Sequence, residues 1–172
     1  MDAALIGVIG TLIGGFLGSW LTYRNSTALA KLEMKWQQVR LSQEKLEEIA
    51  VIIDQIDQHY KKLMGDVISK IEYNKPLEFT GERIPFERLR ILMEFYAPAM
   101  LNDWSKLKSA RDLFGEVLVE AIPSIDRTKP EKQTLNTRVF TAQNKVSEVC
   151  RSLSEKAALL ARDTVGASYL QR

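Results

Sequence analysis

From Ala3 to Tyr23 the chain carries no charge, whereas the rest of it is rich in Lys, Glu, Arg and Gln. A helix over that first run spans roughly 31 Å, close to the ~30 Å hydrocarbon core of a bilayer. Asp2 and Arg24 bracket the run. Trp20 and Tyr23 sit near its C-terminal end, where amphipathic rings favour a membrane interface. We expect a single-pass transmembrane helix over residues 1–24. A cleaved signal peptide fits less well. Ala28-Leu29-Ala30 has a small-x-small pattern, but no basic segment precedes the run and Arg24 separates it from that site. Arg24, Lys31, Lys35 and Arg40 all follow the run. The positive-inside rule then places residues 25–172 in the cytoplasm, with the span in a bacterial inner membrane. A lone cysteine, Cys150, suits that reducing compartment.

The run has internal order. At about 100° per residue, Leu5, Ile6, Ile9, Leu12, Ile13, Phe16, Leu17 and Trp20 fall on one half of the helix. Gly7, Gly10, Thr11, Gly14, Gly15, Gly18, Ser19 and Thr22 fall on the other. Glycine weakens a helix that only meets lipid, but it lets helix backbones approach closely. Gly10, Gly14 and Gly18 form two overlapping GxxxG steps, and Thr11, Gly15 and Ser19 repeat the spacing beside them. A small-residue face covering half the circle can meet a neighbour on each side, a heterologous arrangement that closes into a ring. We expect these eight residues to drive self-association, with the hydroxyls facing a narrow lumen.

The remainder reads as helix throughout. From Asn25 to Met64 there is no Gly and no Pro. Leu29, Leu32, Trp36 and Val39, then Gln43 as a break, then Leu46, Ala50, Ile53, Ile56, Tyr60, Leu63 and Val67 recur in steps of three and four. That is a heptad-like seam. It predicts a helix over about 25–72, with Asn25-Ser26-Thr27 as a possible kink because such residues favour caps. Further helices are expected over about 86–96, 98–122 and 130–166, punctuated by Pro76, Gly81, Pro85, Pro98, Pro123 and Pro130. No period-two run long enough for a strand is present. The fold class is therefore all-α: a transmembrane helix running into a long helix, then an antiparallel cytoplasmic helical bundle over 25–172.

Chemistry is sparse. There is no phosphate-binding loop, no GxSxG elbow and no HExxH. One His (His59) excludes a His-pair metal motif, and one Cys excludes an internal disulfide. Asp54, Asp57 and His59 lie together, but a metal site would need further carboxylates from a facing helix. With 24 Lys+Arg against 22 Asp+Glu the net charge of +2 decides almost nothing about partners, but a strongly basic nucleic-acid binder usually shows more, and no nucleic-acid partner is expected. Arg83, Arg88, Arg90, Lys106, Lys108 and Arg111 form a modest basic cluster, interleaved with Glu82, Glu87 and Asp112. Trp36, Phe95, Trp104, Phe114 and Phe140 read as packing residues. We assign no catalytic, cofactor-binding or metal-binding residue, and expect no enzyme activity and no cofactor.

The glycine-rich span with its Gly7 to Gly18 face, the long charged helix and the small helical bundle together resemble small bacterial anti-phage membrane effectors. The layout is similar to the accessory membrane protein encoded beside the RNA-guided nuclease of type VI-B CRISPR systems. The resemblance implies a multimeric pore with a HEPN-like cytoplasmic bundle. The HEPN nuclease pattern, Arg and then His after four to six residues, is absent: no Arg precedes His59 at that distance and no His follows Arg151. The expected function is a homo-oligomeric pore or permeability effector in the bilayer, in CRISPR-linked defence. The alternative is a non-conducting, membrane-tethered coiled-coil scaffold for a cytoplasmic protein partner.

Overall fold

The computed structural model describes residues 2–75, 77, 84–123 and 127–169, with side chains at 15, 18–20, 22–75, 77, 84–123 and 127–164. These residues are all-helical, with no strand among them. The helices are α1 (Asp2–Tyr73), α2 (Phe86–Tyr96), α3 (Leu101–Ala121) and α4 (Lys129–Tyr169). The chain divides into two compact units, Met1–Leu41 and Ser42–Arg172.

α1 runs through Asn25-Ser26-Thr27 without a break in the helix. The hydroxyls explain why Ser26 and Thr27 are tolerated there. Ser26 Oγ donates to the Tyr23 carbonyl at 2.9 Å, and Thr27 Oγ1 donates to the Tyr23 and Arg24 carbonyls at 3.0 Å. Bonding back to the preceding turn satisfies them inside the helix. α1 ends where Asn74 turns into the left-handed region at φ 53°. The Asn74 N–H donates to the Lys70 carbonyl at 2.9 Å, and its Oδ1 accepts from Lys70 Nζ at 3.0 Å. This is an asparagine-terminated αL cap, with a cation in the last turn facing the carbonyl end of the dipole.

In the second unit α4 runs antiparallel to both α1 and α3. Lys132 and Asn136 near the start of α4 reach Glu72 near the end of α1, while Ser147 further along reaches Asp57 further back. Likewise Arg138 meets Glu120 and Lys156 meets Asp103 on α3. The core joins all four helices through fully buried Ile49, Ile53, Ile56 and Val67 of α1, Leu89 and Met93 of α2, Leu107 and Phe114 of α3, and Val139, Val146 and Leu153 of α4. Burying each such side chain contributes about 1.5–3 kcal/mol. Tyr60 of α1 packs edge-on against Phe114, with ring centroids 5.2 Å apart and planes at 87°.

Three sequence expectations change in detail. The helix expected over 98–122 is a 3₁₀ turn, Pro98–Met100, followed by α3. Proline at its first position and the Met100 N–H to Ala97 carbonyl bond (2.8 Å) tighten that entry. α4 starts one residue before Pro130. Its cap residue Thr128 donates both its N–H (2.7 Å) and its hydroxyl (2.8 Å) to Glu131 Oε2. That is the carboxylate half of a capping box, and it holds the Glu131 carboxyl below its usual range. Third, the seam expected to pack from Leu29 onward is buried only from Leu46 onward. Leu29 is 62% exposed and Leu32 53%, whereas Leu46 is 3% exposed.

Among the described residues no helix is long and apolar enough to cross a membrane. Much of the uncharged run, residues 3–14, 16, 17 and 21, has side chains outside the described set.

Candidate functional site

The eight residues expected to drive self-association all lie on α1. Gly7, Gly10, Thr11 and Gly14 have side-chain surroundings outside the described residues. Gly15 and Gly18 are exposed, and a Cβ built on either meets nothing within 4 Å. Ser19 and Thr22 are exposed as well. Thr22 Oγ1 donates to the Gly18 carbonyl at 2.8 Å, so its hydroxyl is satisfied within the helix and keeps an acceptor free.

Below them the exposed seam begins. At about 100° per residue, Leu29, Leu32, Trp36 and Val39 fall within about 80° of one another and inside the half circle that holds the small residues. Met34 and Leu41, also exposed, lie on the far side of the helix. The first unit thus presents apolar surface on two opposed faces.

The bundle interior contains polar groups that chemistry could use, and each is engaged in packing. Asp103 is 2% exposed and is held by Lys156 of α4 and by Lys106, whose Nζ lies 2.9 Å from Oδ1. The Lys156 hydrogen bond first, then that of Lys106, holds its carboxyl below the usual range. The sequence signal was present: Met100, Asp103, Leu107, Ala110, Phe114, Val117 and Ala121 repeat in steps of three and four, so Asp103 occupies a seam position. The neighbouring Trp104 is the residue that the sequence marks for packing. Trp104 is half-buried and tilted against Phe86 at 6.1 Å.

A second polar belt links α1 to α4. Gln143 Nε2, buried, donates to Ser147 Oγ at 2.7 Å; Ser147 Oγ donates to Asp57 Oδ1; Lys61 Nζ donates to Asp57 Oδ2 at 2.6 Å. Asp54 accepts from Gln58 at 2.7 Å. His59 packs edge-on to Tyr60, 5.8 Å between centroids. Among the described residues no group of His, Cys, Asp and Glu could hold a metal ion. Cys150 is buried, and burial foremost, then the nearby Asp57 charge, pushes its thiol up to about 12. It is therefore a packing residue and a poor nucleophile.

Arg88, Arg90, Lys106 and Arg111 of the expected basic cluster stand in separate ion pairs. Arg88 Nε donates to Glu48 Oε1 at 2.5 Å across the α1–α2 contact. Arg90 is paired with Glu87 and Glu94 on its own helix, and Lys106 with Asp103. Arg111 pairs with Asp112 and stacks over Phe86 at 5.4 Å. Arg83 lies outside the described residues. Of the aromatic packing residues, Phe114 is buried, while Phe95 and Phe140 are exposed.

Comparison with protein-family models, with curated proteins and with solved structures finds no match.

Proposed function

We propose that the chain is a single-pass bacterial inner-membrane protein with its bundle in the cytoplasm. It assembles with copies of itself into a ring and changes membrane permeability as a pore, in the manner of a phage-defence effector. The observation that carries this reading is the first unit's pair of opposed apolar faces. Leu29, Leu32 and Trp36 continue the small-residue side, and Met34 and Leu41 stand opposite, all exposed. A helix with one such face dimerises; a helix with two meets a neighbour on each side, and a ring satisfies both. Between the faces, Ser19, Thr22, Ser26 and Glu33 fall within about 60° at 100° per residue. That sector supplies hydroxyls and a carboxylate for a wet lumen. GxxxG spacing permits the close backbone approach that a ring of spans needs.

The test is the mass of the detergent-solubilised full chain, by light scattering or native mass spectrometry. A closed oligomer of roughly six or more copies supports the reading, since heterologous contacts then enclose a lumen. A monomer or dimer overturns it and leaves a tethered adaptor. Gly14→Leu with Gly18→Leu should then break the oligomer and abolish conductance in planar bilayers, and unchanged assembly counts against the small-residue face.

A further inference from the structure

We propose that Trp20, Arg24, Lys31 and Lys35 form a binding face on α1 for the headgroups of anionic phospholipids. The inference rests on the bilayer reading above and names which lipid chemistry that face selects. At about 100° per residue these four residues lie within about 60° of one another, on the sector opposite Ser19, Thr22, Ser26 and Glu33. Glu33 is the one acidic residue between Asp2 and Glu44. The helix therefore sorts its charge: three cations on one side, the carboxylate together with Arg40 on the other.

The four side chains are exposed, and Arg24 lies over the Trp20 ring with its guanidinium carbon 5.5 Å from the centroid. Stacking fixes the plane of the guanidinium and leaves its edge N–H groups free to donate to a phosphate in bidentate fashion. An indole half in hydrocarbon and half in water suits the same depth. Lys31 and Lys35 carry no ion pair among the described residues. From Arg24 to Lys35 the helix rises roughly 16 Å. The Cα–Cβ bonds of a helix tilt toward its N-terminus, which here is the side of the uncharged run. Both lysine stems thus lean back toward the headgroups, and their charges fall within about one or two Debye lengths of an anionic surface. In a ring whose polar sector faces the lumen, this basic sector faces outward, where lipids are.

The face can be read directly with the full chain reconstituted in vesicles. Trp20 fluorescence is quenched by brominated acyl chains, so brominated phosphatidylglycerol is titrated against brominated phosphatidylcholine. The expected result is a several-fold preference for phosphatidylglycerol that falls toward unity in the Lys31→Gln/Lys35→Gln double variant. Lys31→Arg/Lys35→Arg should keep it, and Glu33→Gln should leave it unchanged. Equal quenching by the two lipids in the natural chain overturns the inference and leaves the bilayer reading intact. Quenching by neither overturns the bilayer reading itself. Inorganic phosphate at the ionic strength of a chloride control should leave the preference in place; its loss in phosphate alone would assign the face to a soluble phosphate and overturn the lipid proposal.

Discussion

α1 contains two stretches with the same apolar spacing and opposite surroundings. Leu29, Leu32 and Trp36 are exposed, whereas Leu46, Ile53, Ile56 and Val67 are buried beneath the other helices. The steps of three and four are continuous across Gln43, and so is the helix. What differs is supply. The lower stretch has Leu107, Phe114, Val139, Val146 and Leu153 to cover it within the same chain. Among the described residues the upper stretch has no such cluster in its own unit. Heptad periodicity identifies the face that gains from cover, and it is silent on whether the cover comes from the same chain or from another copy.

The largest way to break this comparison is in the buried stretch. Ile53→Ala removes a methylene and two methyl groups from a site with no exposure, and should lower unfolding stability by about 2–5 kcal/mol. Urea denaturation of the detergent-solubilised chain, followed by circular dichroism, measures it. A loss under about 1 kcal/mol would mean that the site is not close-packed.

The next effect concerns the carboxylate inside the seam. Asp103→Asn keeps the shape but removes the charge that Lys156 and Lys106 face. Both lysines remain about half exposed, so each can rehydrate, and a loss of about 1–2 kcal/mol is expected. The same pair sets an acid limit. The folded carboxyl titrates below its ordinary value. Its contribution is therefore full above the unfolded value of about 4 and fades as pH falls through the folded one. Glu48, lowered chiefly by the hydrogen bond from Lys45, adds in the same direction. Thermal unfolding midpoints between neutral pH and pH 3 should fall for the natural chain and fall less for Asp103→Asn. Parallel curves would sink the assignment.

At the junction between α1 and the segment toward α2, Asn74→Ala should destabilise by about 1 kcal/mol. Asparagine adopts φ 53° more readily than alanine does, and the bond to Lys70 Nζ is lost. Asn74→Gly keeps the backbone freedom and should lie within a few tenths of a kcal/mol of the natural chain. Differential scanning calorimetry separates the two, and equal midpoints would show that the left-handed conformation carries no cost.

The helices were largely legible in the sequence because their signals are local. Phe86 to Tyr96 is bounded by Pro85 and Pro98, and the start of α4 by Pro130 and a Thr128–Glu131 pair. The polar members of the core were not legible in the same way. Asp103 and Gln143 stand at seam positions and would be read as interruptions. What makes them acceptable inside is distant in sequence: Lys156 reaches Asp103, and Gln143 bonds to Ser147 one turn on, which in turn reaches Asp57 of α1. The basic cluster failed for the complementary reason: Arg88 looks free until Glu48, far earlier in the chain, is placed against it. Exposure of the Leu29 seam was invisible for a third reason. A pattern that implies burial gives no count of the helices available to supply it.

The smallest expected effect on stability is the sharpest for the comparison. Leu32→Ala takes a large apolar side chain from a surface that is 53% open, so the bundle's unfolding should shift by no more than about 0.5 kcal/mol. Set against Ile53→Ala, the same class of truncation on the same helix should differ by several-fold or more. The second readout is assembly. If the exposed seam packs against another copy, Leu32→Ala shifts the oligomer distribution in native mass spectrometry toward smaller species at low protein concentration, without changing the folded bundle. A variant that leaves both stability and assembly untouched would make the upper seam solvent-facing surface, and Gly18 with its neighbours would have to hold a ring alone. A variant that unfolds the bundle would show that the upper stretch is already covered by its own chain. The two halves of α1 would then not differ in kind.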